Sequence, residues 1–142
     1  ATNNGNLLHE IMSKIKSKKD LDKALMKFYD NGTINTKLKE KYRKIIVEIL
    51  NHESLQHYYN PVLKSFNEKD LILKNSEPIR PDRIVFNSTN EVSIIDYKTG
   101  KVKKTDYNQL NYYEKVLSEM GYEVKNKIIV NSSVNDLKVI IF

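Results

Sequence analysis

The stretch Glu91-Val92-Ser93-Ile94-Ile95-Asp96-Tyr97-Lys98-Thr99-Gly100 decides the fold. Glu91 to Tyr97 is a strand-length run rich in β-branched side chains, and a polar turn follows in which Gly100 supplies the positive φ. Beyond it the period changes. From Asp106 to Met120, the apolar residues Leu110, Tyr113, Val116, Leu117 and Met120 recur at helical spacing, and Gly121 stands where a helix takes its left-handed stop. Two more β-runs close the chain, Lys127 to Val130 and Leu137 to Phe142, with Asn131-Ser132-Ser133 in the loop between them. A strand that leads through a helix to another strand defines an α/β arrangement.

Upstream, Glu68 to Leu73 and Ile79 to Phe86 are two further β-runs. Asn75-Ser76-Glu77-Pro78 separates them, and Asn87-Ser88-Thr89-Asn90 joins the second to Glu91. Connections this short predict an antiparallel meander. The first half of the chain reads helical. Leu7, Leu8, Ile11, Met12 and Ile15 form one apolar stripe. Leu21, Ala24, Leu25 and Phe28 form a second, with Asp20 as its N-cap and Asn31-Gly32 as its stop. Leu38, Tyr42, Ile45, Ile46, Ile49 and Leu50 form a third, capped by Asn35 or Thr36, and a short helical turn from Ser54 to Tyr59 ends before Pro61. The expected fold is therefore α/β, a mixed β-sheet in the order β-β-β-α-β-β with the N-terminal helices packed on one face.

The 142 residues are 39% hydrophobic and 30% charged, which fits one domain. There is no cysteine, so disulfide scaffolds, thiolate zinc sites, cysteine-ligated iron–sulfur clusters and cysteine nucleophiles are excluded. No apolar stretch approaches the roughly 20 residues that cross a bilayer as a helix, so no membrane partner is expected. Ala1 to Asn6 resembles neither a signal peptide nor a natural beginning, which points to a domain cut from a longer protein. The formal charge of +6 comes from 24 basic and 18 acidic residues, but only Arg43, Arg80 and Arg83 are arginine. Lysine together with abundant asparagine is what AT-rich codon usage produces, so the charge alone is a weak pointer to nucleic acid.

Three acids occupy strand positions where a core strand would hold valine: Glu68, Asp82 and Asp96. Each is expensive if buried without a partner. Residues two apart in a strand share a face, so Asp96 and Lys98 emerge side by side, and Asp82 belongs to the neighbouring strand of the meander. Two converging carboxylates beside a lysine suit a hard divalent cation, Mg²⁺ or Mn²⁺, which takes oxygen ligands and leaves positions for water and a phosphate. Such a site hydrolyses phosphodiesters.

Five motifs in order resemble the PD-(D/E)XK nuclease superfamily, and more narrowly the RecB-like nuclease domains at the C-termini of UvrD-type and AddA-type helicase–nucleases. They are Gly5-Asn6-Leu7-Leu8-His9, Asn67-Glu68, Arg80-Pro81-Asp82-Arg83, Asp96-Tyr97-Lys98-Thr99-Gly100, and Gln109 with Tyr113. The resemblance implies a restriction-endonuclease-like core and a metal-dependent deoxyribonuclease. In that family pattern, His9, Asp82, Asp96 and the main-chain carbonyl of Tyr97 hold Mg²⁺ or Mn²⁺. Lys98 orients or activates the attacking water. Glu68 binds a second ion, holds a metal-bound water or fixes a basic neighbour, and Gln109 and Tyr113 brace the site or contact a phosphate. The implied partners are DNA, as single strands or duplex ends, and a helicase domain in the parent chain. The implied setting is double-strand break repair in the cytoplasm, associated with the nucleoid.

The chain departs from some relatives in lacking the four cysteines of an iron–sulfur cluster. It also has no phosphate loop, because Ile95 stands where the glycine before Gly100-Lys101 would be needed, so a motor must lie in other sequence. The residues also admit plainer readings. His9 sits on the flank of its helix stripe, as surface histidines do. Asp82 can pair with Arg80 or Arg83, and Gln109 can close a capping box begun at Asp106. Tyr58, Tyr59, Tyr112 and Tyr113 suit a core as well as a base-stacking surface. Lys101, Lys103 and Lys104 can guide a phosphate backbone or be solvated. On function, the alternatives are a catalytically inactive nuclease-like module that binds DNA or protein, and a standalone phage or restriction-type endonuclease.

Overall fold

The computed structural model describes residues 4–133 and 136–142. Ala1 to Asn3, from the expected unnatural beginning, and residues 134 and 135 lie outside the described set. The chain forms two compact units, one ending at Val62 and one beginning at Leu63. In the first unit, α1 (Asn4–Met12), α2 (Leu21–Asp30) and α3 (Thr36–Asn51) follow one another, with 3-10 turns at Lys18–Asp20 and Gln56–Tyr59. The helices bury most of the stripes their spacing predicts: Leu7, Leu8, Ile11 and Met12 from α1, Leu21, Ala24, Leu25 and Phe28 from α2, and Tyr42, Ile46, Ile49 and Leu50 from α3, whose Leu38 and Ile45 are half-buried. Burial of each large aliphatic side chain contributes about 1.5–3 kcal/mol.

Asn35 caps α3, its Oδ1 accepting the Leu38 N–H at 2.8 Å. The expected cap on α2 is different. Asp20 turns its carboxylate back onto the N–H groups of Lys16 and Ser17, at 3.0 and 3.1 Å, and so braces the turn before α2 rather than α2 itself. Lys18–Asp20 runs directly into α2 as a 3-10 turn, so Asp20 has helical dihedrals and cannot reach forward as a cap does.

The second unit is a five-stranded mixed sheet in the spatial order β1 to β5, with β1 (Ser65–Asn67), β2 (Arg83–Phe86), β3 (Glu91–Lys98), β4 (Glu123–Ser133) and β5 (Asp136–Ile141). The β3–β4 pair is parallel and the other three are antiparallel, and α4 (Lys104–Glu119) makes the crossover. The class is therefore α/β. A core cluster forms between sheet and helix from Ile84, Val92, Ile94 and Ile129 on the strands and Leu110, Tyr113, Val116 and Leu117 on α4.

Strand boundaries depart from the sequence reading where polar and imino residues interrupt the ladder. The first strand is Ser65–Asn67, not Glu68 to Leu73; Glu68 ends it with φ 50, and Leu71 forms only an isolated bridge to Ile79. The second begins at Arg83 rather than Ile79, because Pro81 has no N–H to give a ladder. The fourth runs from Glu123 to Ser133, longer than Lys127 to Val130, because the parallel pairing with the eight residues of β3 carries it past the apolar run.

Candidate metal centre

Arg83 lies opposite Ile95, so continuing the same register sets Asp82 opposite Asp96 and Pro81 opposite Tyr97. The ladder stops there, and side chains replace its bonds. The Asp82 N–H donates to Oδ1 of Asp96 at 3.0 Å, and the Tyr97 N–H donates to Oδ2 of Asp82 at 2.8 Å. Each carboxylate is thus fixed by a main-chain amide of the other's strand. Asp96 is only 3% exposed, and Asp82 is half-buried. Amide donors offset part of the cost of holding these charges out of water.

Glu68 adds a third carboxylate, with an oxygen within 4.8 Å of one from Asp82. Its N–H donates to the Asp82 carbonyl at 3.0 Å, and its own carbonyl accepts from Arg80 Nε at 2.8 Å. The Arg80 guanidinium also lies 3.6 Å from the Glu68 carboxylate and 3.9 Å from that of Asp70. The plainer reading of Asp82 allowed a pair with Arg80 or Arg83; these contacts give Arg80 to Glu68 and Asp70. Arg83, the other arginine considered there, is buried and donates to Asn67 Oδ1 at 3.0 Å.

Lys98 leaves β3 on the face of Asp96 and reaches the first turns of α4, its Nζ 3.4 Å from Gln109 Oε1 and 3.7 Å from Asp106 Oδ1. The capping box expected from Asp106 to Gln109 forms three residues earlier, with Asp106 Oδ2 accepting the Lys103 N–H at 2.8 Å. Helix α4 begins at Lys104, which puts Asp106 at its third position and leaves Gln109 a full turn inside. Tyr113, one turn further along the helix, is 7% exposed. Burial first, then the negative charges of Asp96 and Asp82, hold its phenol above the ordinary value of 10.0, so it stays protonated and able to donate.

Of the eight candidates, Glu68 and Asp82 bring carboxylate oxygens within 4.8 Å of each other, Asp96 accepts the Asp82 N–H, the Tyr97 N–H fixes Asp82, Tyr113 feels the charges of Asp96 and Asp82, and Lys98 meets Gln109. His9 lies on α1 in the first unit, and its role as a ligand rests on the family resemblance. Sequence reasoning missed the roles of two residues. Asp106 holds both the start of α4 and the Lys98 ammonium, and its signal was an acid three residues after a lysine at a helix start. Asn131, opposite Lys98 across the parallel pair, donates to the Gly100 carbonyl at 2.8 Å and fixes the turn after Lys98. Its signal was a polar residue directly after an apolar strand run.

Within the second unit the candidate donors are the carboxylate oxygens of Asp82, Glu68 and Asp96, a donor type that suits a small hard dication better than a soft metal. No family model matches the chain, and no curated protein matches it. Among solved structures, one described as "Crystal structure of SSO0001" is 12% identical, with a TM-score of 0.40, over 99% of this chain and 68% of that one. A likeness at that level carries no argument about function. No described helix is long and apolar enough to cross a membrane.

Proposed function

We propose that the second unit carries the catalytic site of a metal-dependent deoxyribonuclease with a restriction-endonuclease-like core, of the RecB-like PD-(D/E)XK kind that the motifs resemble. The observation that supports the reading is the reciprocal pair of bonds from Asp82 N–H to Asp96 and from Tyr97 N–H to Asp82, which holds the two carboxylates beside each other's backbone. Asp82, Asp96 and the Tyr97 carbonyl would hold Mg²⁺ or Mn²⁺, with His9 as a further ligand on the strength of the resemblance alone. A bound ion of this kind lowers the pKa of a water and offsets charge developing on a phosphate.

The chain's own groups supply orientation. Asp82 and Asp96 are preorganised by amides, so little reorganisation accompanies the reaction. Lys98 offers its ammonium to the attacking water or the phosphate, and Asp106 and Gln109 steer it. Tyr113, kept neutral, donates toward the carboxylates or a phosphate oxygen. Of the roles open to Glu68, the contact with Arg80 supports the fixing of a basic neighbour. The substrate is DNA, as single strands or duplex ends, delivered by a helicase domain of a parent chain during break repair in the cytoplasm.

Digestion of linear single- and double-stranded DNA with Mg²⁺ or Mn²⁺ tests the reading. Asp96→Asn and Lys98→Ala are each expected to lower cleavage by about 100-fold or more, as loss of a ligand or a general acid–base group does. Cleavage indifferent to both substitutions would overturn it. Calorimetric titration with Mn²⁺ is expected to show binding that weakens in Asp82→Ala, whether or not the delivering motor is present. DNA and metal binding with no cleavage would mark the inactive-module alternative.

A further inference from the structure

Three rings of the second unit form a row. Phe66 on β1 meets Phe86 on β2 edge to face with centroids 6.1 Å apart, and Phe86 meets Tyr122, just before β4, in the same way at 5.6 Å. All three residues are half-buried and so remain partly open to solvent. Two exposed lysines gather over the row. Lys69 Nζ is 4.1 Å from the centroid of the Phe66 ring, and Lys64 Nζ is 5.4 Å from that of Phe66 and 5.0 Å from that of Phe86. Among the described residues neither lysine forms an ion pair, whereas Lys98, Lys125 and Lys127 of the same unit each face an acid. Glu68 and Asp70, the acids on either side of Lys69, are turned to Arg80 instead. The row thus carries two positive charges that no acid neutralises. An ammonium already held against a ring also loses less freedom on meeting an anion than one on a loose side chain.

Phe66, Ile84 and Ile94 are partners across β1, β2 and β3 and share one face of the sheet, the face on which α4 packs. Phe86 and Asp82 lie two residues from Ile84 in opposite directions, and Asp96 lies two residues from Ile94. Rings and acids therefore share that face. At about 3.3 Å per residue, Asp82 is about 7 Å along the sheet from the level of Phe66 and about 13 Å from that of Phe86. A few nucleotides of an extended strand cover such a span.

We propose that this row binds single-stranded DNA, with phosphates on Lys64 and Lys69 and bases stacked on Phe66, Phe86 and Tyr122, and that the bound strand runs on to Asp82 and Asp96. Charge selects an anion, and the rings select its kind. An acidic peptide would use the lysines and leave the rings, and a duplex would offer phosphates but keep its base faces stacked inside. An ammonium at an exposed ring is held more weakly than a stacked base, so a base takes the ring while the ammonium turns to the adjacent phosphate. Packing against the core accounts in part for Phe86 and Tyr122, but not for two unneutralised lysines over the rings. Binding at the row needs no metal; the course of the strand to the acids rests on the nuclease reading.

Fluorescence anisotropy of the full chain in EDTA tests the proposal, with a short labelled oligothymidylate, an abasic strand of the same length and a matching duplex. The intact single strand is expected to bind more tightly than either of the others by about tenfold or more. Lys64→Ala with Lys69→Ala is expected to weaken its binding by about tenfold or more, and the same loss of charge at Lys18 and Lys19 by about threefold or less. Phe66→Leu is expected to weaken it by about fivefold or more and Phe66→Trp to retain it, with melting temperatures showing that each variant is folded. Affinity is read in EDTA and cleavage with metal, so strand binding without cleavage sinks the nuclease reading alone, and cleavage with native affinity in the Lys64, Lys69 variant sinks this one alone. No binding at millimolar strand in low salt, native affinity in that double variant, or equal affinity for the intact and abasic strands would overturn the proposal.

Discussion

Glu68 has its backbone at φ 50, a conformation that costs a non-glycine residue about 1–2 kcal/mol, yet its N–H and carbonyl are both tied, to Asp82 and Arg80. Those two bonds hold the residue where it turns the chain out of β1 and brings its carboxylate beside Asp82. Strain retained beside clustered acids is consistent with a functional constraint. Glu68→Gly is therefore expected to leave thermal stability unchanged or raise it by up to about 1 kcal/mol, while metal-dependent cleavage falls. A loss of stability together with full activity would count against this account. Tyr113 gives a second residue-level expectation. Its folded-state pKa is raised, so in EDTA its contribution to stability is fully present below the ordinary value of 10.0 and is lost as pH rises above that value. Alkaline unfolding curves of Tyr113→Phe should accordingly lose less stability above pH 10 than those of the native chain.

Among the elements, helices and central strands were legible from the sequence because their apolar spacing matches what they bury: the stripes of α2 and α4 are where periodicity put them, and the run Glu91 to Tyr97 lies within the strand Glu91–Lys98. The segment from Glu68 to Asp82 was not. Leu71, Ile72, Leu73 and Ile79 look like strand residues, but only one bridge forms between them, and Ile72 is 68% exposed. A left-handed turn at Glu68 cannot be read from glutamate, which ordinarily avoids it. The acids themselves were legible as misfits in apolar runs, whereas the amides that position them depend on register, which single-strand periodicity does not supply. Asp106 shows the same limit, since whether it or Gln109 closes the box depends on a helix start that sequence fixes only loosely. Asp106→Ala is expected to cost about 1 kcal/mol in denaturant unfolding through loss of the cap, and to reduce cleavage by releasing Lys98. Asp106→Asn should recover most of the stability, because an amide oxygen can still accept the Lys103 N–H.

Across the whole molecule, lysine abundance by itself says little about partners, but its placement is testable. Affinity for a single strand in EDTA should fall linearly with salt on logarithmic axes. Replacing Lys101, Lys103 and Lys104 with alanine should flatten that slope by about 2.1, at roughly 0.7 for each phosphate neutralised on a single strand. An unaltered slope would assign all three to ordinary solvated surface.

The sheet order also has a temporal side. Strands β2 and β3 are joined only by residues 87–90, whereas β3 meets β4 through pairs such as Lys98 with Asn131, with the whole of α4 between them. Short closures precede long ones, so the hairpin bearing Asp82 and Asp96 is expected to assemble before the strand that flanks it. In a chevron, substitutions in the 87–90 turn should mainly slow folding, and substitutions in β4 should mainly hasten unfolding. The two acids would then meet early, while the protein is half built, and their mutual repulsion would act as a brake on the nucleus that a divalent salt would release.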